Sequence, residues 1–181
     1  MSQNFIPLRM ATEISIGIAL AVVLGLISKL IQMPYGGSIN LSAVPLLILA
    51  LRHGVRIGCI TGGLYGVVDF LLKPFIFHPV QIILDYPIAF GLLGFSALGF
   101  SSSIGQSDLL QRLRVALGII LGNAMRLAAH FVSGMVFFAE YAPEDQPVWL
   151  YSLSYNASYI VPEAIIEIML VQFILRFVRR A

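Results

Sequence analysis

Six apolar stretches, separated by short breaks rich in glycine, proline or charge, dominate this sequence. They lie at roughly 10–32, 39–52, 55–72, 79–100, 112–139 and 148–178. A membrane-spanning helix needs about 20 predominantly apolar residues. Only 11% of the residues are charged, against about 25% in a typical soluble domain. The pattern therefore predicts an all-α integral membrane protein with six transmembrane helices, in which residues 1–181 form one membrane-embedded domain.

Positive charge is distributed unevenly between the two ends of this layout. One end carries Arg9, Arg52, Arg56, Arg112, Arg114, Arg176, Arg179 and Arg180. At the other end, the connections carry Lys73 and the acidic residues Glu140, Glu144 and Asp145. Because cytoplasmic loops are enriched in lysine and arginine, we expect both termini in the cytoplasm of a multi-pass membrane protein. The loops 33–38, 73–79 and 140–148 are then expected to face outward.

Several classes of function are disfavoured by what the sequence lacks. A net charge of +2 is too small to indicate nucleic-acid binding. A single cysteine, Cys59, and three scattered histidines provide no metal-ligand spacing, so neither a metal nor another cofactor is expected. The chain contains no G-x-x-x-x-G-K-[ST] motif for ATP hydrolysis. No nucleophile accompanies the candidate acids and bases, and we expect no enzymatic activity.

Polar residues at membrane depth are candidates for function by default, and here they gather near the outer ends of three predicted helices. Asp85 and Tyr86 lie in the fourth apolar stretch, His130 in the fifth, and Tyr151 and Asn156 at the start of the sixth.

The residue types in this group indicate the kind of ligand. Gly134 and Phe138 follow His130 at four-residue steps and share its helix face. A carboxylate with aromatic faces suits a small organic cation, and the amide of Asn156 suits the edge of a heteroaromatic ring. Gly134 would let a flat ligand approach the backbone. We therefore expect an outward-facing cavity for a planar organic cation.

Structural explanations of the same residues remain open. Asp85 could pair with Arg126 or Lys73, and tyrosines near a membrane surface often serve as interfacial anchors. Glu163 and Glu167, beside Pro162, either form internal hydrogen bonds or line the lower part of the cavity.

Two sets of small residues recur at four-residue spacing. Gly58, Gly62 and Gly66 predict a face of the third helix that packs closely against another helix. Ala11, Ser15 and Ala19 form a strip at the cytoplasmic end of the first helix. That strip serves either internal packing or the docking of a partner protein.

Five stretches, taken in order, resemble one known family. They are MPYGGSINLSAVPLLILALRHG at 33–54, GGLYG at 62–66, KPFIFHPVQIILDYPIAFGLLG at 73–94, RLAAHFVSGMVFFAEYAP at 126–143 and YSLSYNASYIVPE at 151–163. With them the chain resembles the ThiT-type, thiamine-specific substrate-binding subunits (S components) of energy-coupling-factor (ECF) vitamin transporters, which belong to the ABC transporters.

The resemblance implies both a ligand and partners. It implies high-affinity thiamine binding on the outer side, in a pocket formed by the fourth to sixth helices and the loop between the first two. It also implies a protein of the bacterial plasma membrane whose uptake is energised by a transmembrane coupling protein carrying two cytosolic ATPases. The chain would dock on that coupling protein through Ala11, Ser15 and Ala19. The implied ligand-binding residues are Asp85, Tyr86, His130, Gly134, Phe138, Tyr151, Asn156, Tyr35 and Phe75.

This sequence departs from the family at several of these positions. Asp85 stands where glutamate is more frequent, and Ser15 stands where alanine is usual. Tyr35 and Phe138 stand where the family can carry tryptophan, and Phe75 replaces a tyrosine. The aromatic faces are retained, although cation–π attraction is weaker for tyrosine and phenylalanine than for tryptophan.

Two other functions remain compatible with the residues. The chain could be an S component for another vitamin or for a thiamine precursor. It could also be a stand-alone, proton-coupled transporter of a small cation, with Asp85, His130 and Glu163 as a relay.

Overall fold

The computed structural model describes residues 7–27, 31–33, 37–99 and 108–178, and most of these residues are helical. The helices are α1 (Leu8–Ile27), α2 (Ala43–His53), α3 (Val55–Leu72), α4 (79–99), α5 (Asp108–Phe137) and α6 (Val148–Val178). Two antiparallel strands, β1 (Ile31–Gln32) and β2 (Ser38–Ile39), lie between α1 and α2. A single 3₁₀ turn, Ala139–Tyr141, follows α5.

The outer surface of the bundle matches a lipid environment. Within the described ranges, four helices are long and apolar enough to cross a membrane: Leu8–Ile27, Val55–Leu72, Pro79–Leu98 and Leu109–Phe137. Large apolar side chains such as Leu20, Leu64 and Ile165 are exposed on the helices. The predicted all-α membrane fold is confirmed at this level, whereas the count of six spans and the cytoplasmic termini stay predictions.

One buried cluster joins all six helices. It includes Ala21 of α1, Leu46 of α2, Tyr65 of α3, Phe90 of α4, Ile119 of α5 and Val171 of α6. Because Tyr65 and Phe90 also border the central cavity, the same packing that holds the helices together fixes one wall of the candidate site.

The glycine face of α3 packs against the backbone of α4, as its spacing predicted. A Cβ atom added at Gly62 would lie 2.1 Å from the Phe90 carbonyl oxygen, and one at Gly66 would lie 2.4 Å from that of Tyr86. Glycine therefore permits a backbone approach that no other residue allows. This approach sets the depth and rotation of α4, the helix that carries Asp85.

Three helix ends differ from the sequence prediction. α1 ends at Ile27 rather than near residue 32, and α2 begins at Ala43 rather than near residue 39. The cause is the ribbon between them, in which β1 pairs with β2. Asn40 Oδ1 then accepts a hydrogen bond from the Ser42 N–H at 2.9 Å, a local turn that delays the start of α2. α5 begins at Asp108, ahead of the predicted residue 112.

The close contact between α3 and α4 can be tested with two neighbouring glycines. We expect Gly62→Ala to lower the thermal unfolding midpoint in detergent strongly, because its Cβ would overlap the Phe90 carbonyl oxygen. Gly63→Ala is the matched control, since the nearest atom to its Cβ is 3.6 Å away. Alanine is favoured over glycine in a helix by about 1 kcal/mol, so this control should be neutral or stabilising. Equal effects of the two substitutions would contradict the assignment of the packing face.

Candidate functional site

A cavity of about 420 Å³ lies among α3, α4, α5, α6 and the ribbon between α1 and α2. Its volume falls within the range of about 300–1,000 Å³ that is typical of small-molecule sites. Aromatic side chains form much of its wall, and Asp85 and His130 contribute polar atoms within it.

The structure brings together eight of the nine ligand-binding residues predicted from the sequence. The residues that line the cavity are Phe75, Asp85, Tyr86, His130, Gly134, Phe138, Tyr151 and Asn156. Tyr35, the ninth, lies outside the described residues. Tyr151 and Asn156 reach the same cavity although they are five positions apart on α6.

Three polar side chains contact the Asp85 carboxylate in the cavity. Gln81 Nε2 donates to its Oδ2 at 2.7 Å, and the Ser133 hydroxyl approaches the same oxygen at 3.0 Å. His130 Nδ1 lies 3.0 Å from Oδ1. The side chain of Asp85 is only 17% exposed, so these contacts replace much of the hydration that a carboxylate loses on burial.

Asp85 pairs with neither of the cations that the sequence left open. Among the described contacts, its partners are Gln81, His130 and Ser133, and the guanidinium of Arg126 pairs with Glu163 instead. The alternative of an Asp85–Arg126 pair is therefore wrong. The reason is that Glu163, on α6, faces Arg126 and forms an ion pair with it.

A local distortion of α4 surrounds Asp85. Pro87 has no N–H group and cannot make the α-helical hydrogen bond to the carbonyl group four residues earlier. The chain widens into a π-helical turn over Leu84–Ile88, in which the Ala89 N–H bonds to the Leu84 carbonyl. Such single π turns occur frequently at functional sites, and this one lies where α4 borders the cavity.

The loop before α4 is fastened to that helix by side chains from the cavity wall. The Tyr86 hydroxyl accepts from the Phe75 N–H at 2.9 Å and donates to the Lys73 carbonyl at 3.0 Å. The rings of Phe75 and Phe138 stack with centroids 6.0 Å apart, and Phe77 contacts Phe138 at 5.3 Å. Aromatic faces thus border the cavity on the side of this loop.

Asn156 is largely occupied by contacts within the protein. Its Nδ2 donates to the carbonyls of Ser152 and His130, at 2.9 and 3.3 Å, and its Oδ1 accepts from the Tyr159 hydroxyl at 2.7 Å. An amide oxygen has two lone pairs, so one acceptor position of Asn156 remains for a ligand.

The small size of Gly134 serves helix packing. A Cβ atom at this position would lie 2.2 Å from Ser152 Oγ and 3.4 Å from Asn156 Nδ2. The glycine therefore allows α5 and α6 to approach each other, a reason that the sequence interpretation, based on access for a ligand, did not include.

A buried ion pair forms the floor of the cavity. Arg126 Nη1 donates to Glu163 Oε2 at 2.8 Å, and the two side chains are only 4% and 1% exposed. The guanidinium carbon also lies 4.9 Å from the centre of the Phe90 ring. Asn123 Nδ2 donates to Glu167 Oε2 at 2.6 Å one turn deeper. Both glutamates therefore form the internal hydrogen bonds that were one of their two predicted roles.

Sequence reasoning missed Gln81 and Ser133. Gln81 precedes Asp85 by four residues, and Ser133 follows His130 by three, so both are one helical turn from a residue that was recognised. Polar side chains at that spacing inside an apolar stretch were the available signal. Among the described residues, no group of three or more His, Cys, Asp or Glu side chains could hold a metal ion.

The small-residue strip of α1 lies mostly on the surface. Ser15 and Ala19 are exposed and Ala11 is half-buried, whereas Gly17 and Ala21 are buried. The Ser15 hydroxyl donates to the Ala11 carbonyl at 2.9 Å, which leaves a smooth surface. Of the two roles that the sequence left open, internal packing therefore does not describe Ser15 or Ala19.

Comparisons with known proteins agree with one another. The family model described as Thiamine transporter protein (Thia_YuaJ) matches residues 11–181. Thiamine transporter ThiT of Bacillus subtilis (strain 168) is 40% identical over 161 residues, which cover 85% of this chain and 83% of that protein. The ThiT of Lacticaseibacillus paracasei is 32% identical over 145 residues, or 76% and 72% of the two chains. A solved structure of ThiT from Listeria monocytogenes superposes with a TM-score of 0.83 at 26% identity, and covers 96% of each chain.

The buried ion pair on the cavity floor can be tested by removing one partner. We expect Arg126→Met to destabilise the protein by about 3–5 kcal/mol, the usual cost of leaving one charge of a buried pair uncompensated. Thermal unfolding in detergent measures the effect. Arg52→Met, which removes a half-exposed partner of Glu13, is the control and should change the midpoint little.

A double variant refines the same test. Combining Arg126→Met with Glu163→Gln removes both charges, and we expect it to recover part of the lost stability. A double variant that is less stable than Arg126→Met would contradict the assignment of this pair.

Proposed function

We propose a function for this chain from one premise: it belongs to the thiamine transporter protein family. Its named relatives are transporters rather than enzymes, and membership supports thiamine uptake by a multi-pass protein of the cell membrane. The finer proposal is that the chain captures thiamine with high affinity in the cavity around Asp85. The observation that carries it is a largely buried carboxylate, held as a hydrogen-bond acceptor, in an aromatic cavity of suitable volume.

The chemistry of thiamine complements this cavity. Thiamine has a permanently positive thiazolium ring joined to a flat aminopyrimidine. In the proposed complex, Asp85 provides the compensating negative charge and accepts a hydrogen bond. His130 and Phe138 stack on the two faces of one ring, where aromatic faces attract a cation. Tyr151 and the remaining acceptor position of Asn156 give directional hydrogen bonds, and Phe75 and Tyr86 complete the wall.

The segment between β1 and β2 is proposed to cover the bound ligand. One contact joins its described part to the cavity wall: the Gly37 N–H donates to the Tyr155 hydroxyl at 3.3 Å. Within the segment itself, the Met33 N–H donates to the Gly37 carbonyl at 2.8 Å. Tyr35 belongs to the same segment in the sequence, and we propose that it contributes an aromatic face to the cover. Loops that close over a ligand exclude water and strengthen the electrostatic contacts beneath.

Energy for uptake is proposed to come from partner proteins. In this proposal the chain is the substrate-capture subunit of an ECF-type ABC transporter. It docks on a transmembrane coupling protein that carries two cytosolic ATPases. The exposed positions Ser15 and Ala19, with Ala11, support the docking role because small side chains allow close helix–helix approach within a bilayer.

Two alternatives stay open. A related vitamin or a thiamine precursor could be the ligand, since the cavity wall is mainly aromatic. A stand-alone, proton-coupled transporter would need a relay that includes Glu163, whereas Glu163 Oε2 is already bonded to Arg126 at 2.8 Å. That contact favours the partner-dependent proposal.

The role of Asp85 is tested by Asp85→Asn. We expect thiamine affinity in detergent to fall by at least about 30-fold, because loss of one charge from a buried pair costs about 2 kcal/mol or more. Asp145→Asn is the control, since Asp145 is an exposed acid outside the cavity. Isothermal titration of both variants gives the comparison. Unchanged affinity in Asp85→Asn would refute the proposed site.

The docking role of α1 is tested by Ala19→Trp. We expect uptake of thiamine into cells to be blocked while binding by the purified chain is retained, because the large side chain would separate α1 from its partner. Leu20→Trp is the control on a neighbouring face, where Leu20 is 49% exposed. Normal uptake by Ala19→Trp would argue against this docking surface.

A further inference from the structure

Gln81 connects the aromatic loop before α4 to the Asp85 carboxylate, and these two parts have separate roles in the proposed function. It lies in the first α-helical turn of α4, Pro79–Ile83, and is 1% exposed although it is a polar residue. Its Oε1 accepts from the Phe77 N–H at 3.2 Å, and its Nε2 donates to Asp85 Oδ2 at 2.7 Å. The side chain thus joins the aromatic loop to the carboxylate.

The hydrogen bond to the backbone determines which way the Gln81 amide points. A backbone N–H can only donate, so the atom that faces Phe77 must be the amide oxygen. The opposite atom, which faces Asp85, is then the NH₂ group and can only donate. Asp85 Oδ2 is therefore the acceptor in this hydrogen bond.

Ser133 completes the constraint on the same oxygen. Its hydroxyl lies 3.0 Å from Asp85 Oδ2, so two donors occupy the lone pairs of Oδ2. His130 Nδ1 faces Oδ1. The remaining lone pair of Oδ1 is then the position from which the carboxylate can act on a ligand, with its rotamer fixed from two sides.

We propose that Gln81 is a positioning residue for cation recognition, which fixes the orientation of the Asp85 carboxylate so that Oδ1 is directed at the ligand. This inference rests on the proposed function, because it assumes that Asp85 compensates the charge of the ligand. Gln81 does not need to touch the ligand to act. Its expected effect is on how strongly the site prefers a cationic ligand to an uncharged one, rather than on the shape of the cavity.

Charge selectivity can be separated from general damage with two ligands of the same shape. One is thiamine, and the other is an uncharged analogue in which a thiophene replaces the thiazolium ring. The ratio of their dissociation constants measures how strongly the site favours the cation. A loss of fold or of loop position weakens both ligands, whereas a misplaced carboxylate lowers the ratio.

The experiment compares the wild-type chain with Gln81→Met by isothermal titration in detergent. Methionine keeps the length of the side chain but removes both hydrogen bonds. We expect the preference for thiamine over its uncharged analogue to fall about tenfold, in line with the loss of one hydrogen bond to a charged group. Ser133→Ala is a second variant, remote from the loop, and should lower the preference in the same direction.

A matched control addresses the loop. His78 lies in the same loop, and its Nδ1 accepts a hydrogen bond from the Val80 N–H. His78→Ala removes this bond, and His78 is not among the described partners of Asp85. Its preference for the cation should equal that of the wild type. Unchanged preference in both Gln81→Met and Ser133→Ala would overturn the inference while leaving thiamine binding in place. A wild-type chain that binds neither compound, or binds both equally, would overturn the proposed role of Asp85 and this inference with it.

Discussion

A carboxylate inside an apolar helix bundle is the constraint on which the rest of this structure depends. Moving such a group away from water costs several kcal/mol unless other polar groups replace its hydration. Gln81, Ser133 and His130 contact Asp85 at 2.7–3.0 Å, and the described contacts include no arginine or lysine on it. The carboxylate is therefore solvated by neighbouring dipoles and an imidazole, and in the proposed function it compensates the charge of a cationic ligand.

The rest of the fold brings this group to the cavity. The glycines of α3 let α4 approach so closely that a Cβ atom at Gly62 would overlap its backbone. Pro87 lies within the π-helical turn Leu84–Ile88 of α4, which also contains Asp85. Below the cavity, Glu163 forms an ion pair with Arg126. Without this pair, the Arg126 guanidinium would compete with a cationic ligand for Asp85. The α3–α4 packing, the π-helical turn and the Arg126–Glu163 pair thus all affect the position or the surroundings of Asp85.

Much of this arrangement could be predicted from the sequence because it depends on local rules. The length of the apolar stretches predicted the helices, and the spacing of Gly58, Gly62 and Gly66 predicted the packing face of α3. The pairing of Arg126 could not be predicted, since Asp85 and Glu163 are both acidic residues on neighbouring helices and only the packed rotation of α6 decides between them. Gln81 was missed for a related reason. Its importance lies in a contact to the Phe77 backbone, which leaves no signature in residue types.

The proposed selection of an organic cation by this cavity is tested most directly by a single titration. The purified chain in detergent is titrated calorimetrically with thiamine, riboflavin and biotin, which present a cation, a neutral ring system and an anion at neutral pH. We expect saturable one-to-one binding of thiamine that neither of the other vitamins displaces. Binding of riboflavin or biotin in preference to thiamine would contradict the claim that an acidic, aromatic cavity selects an organic cation.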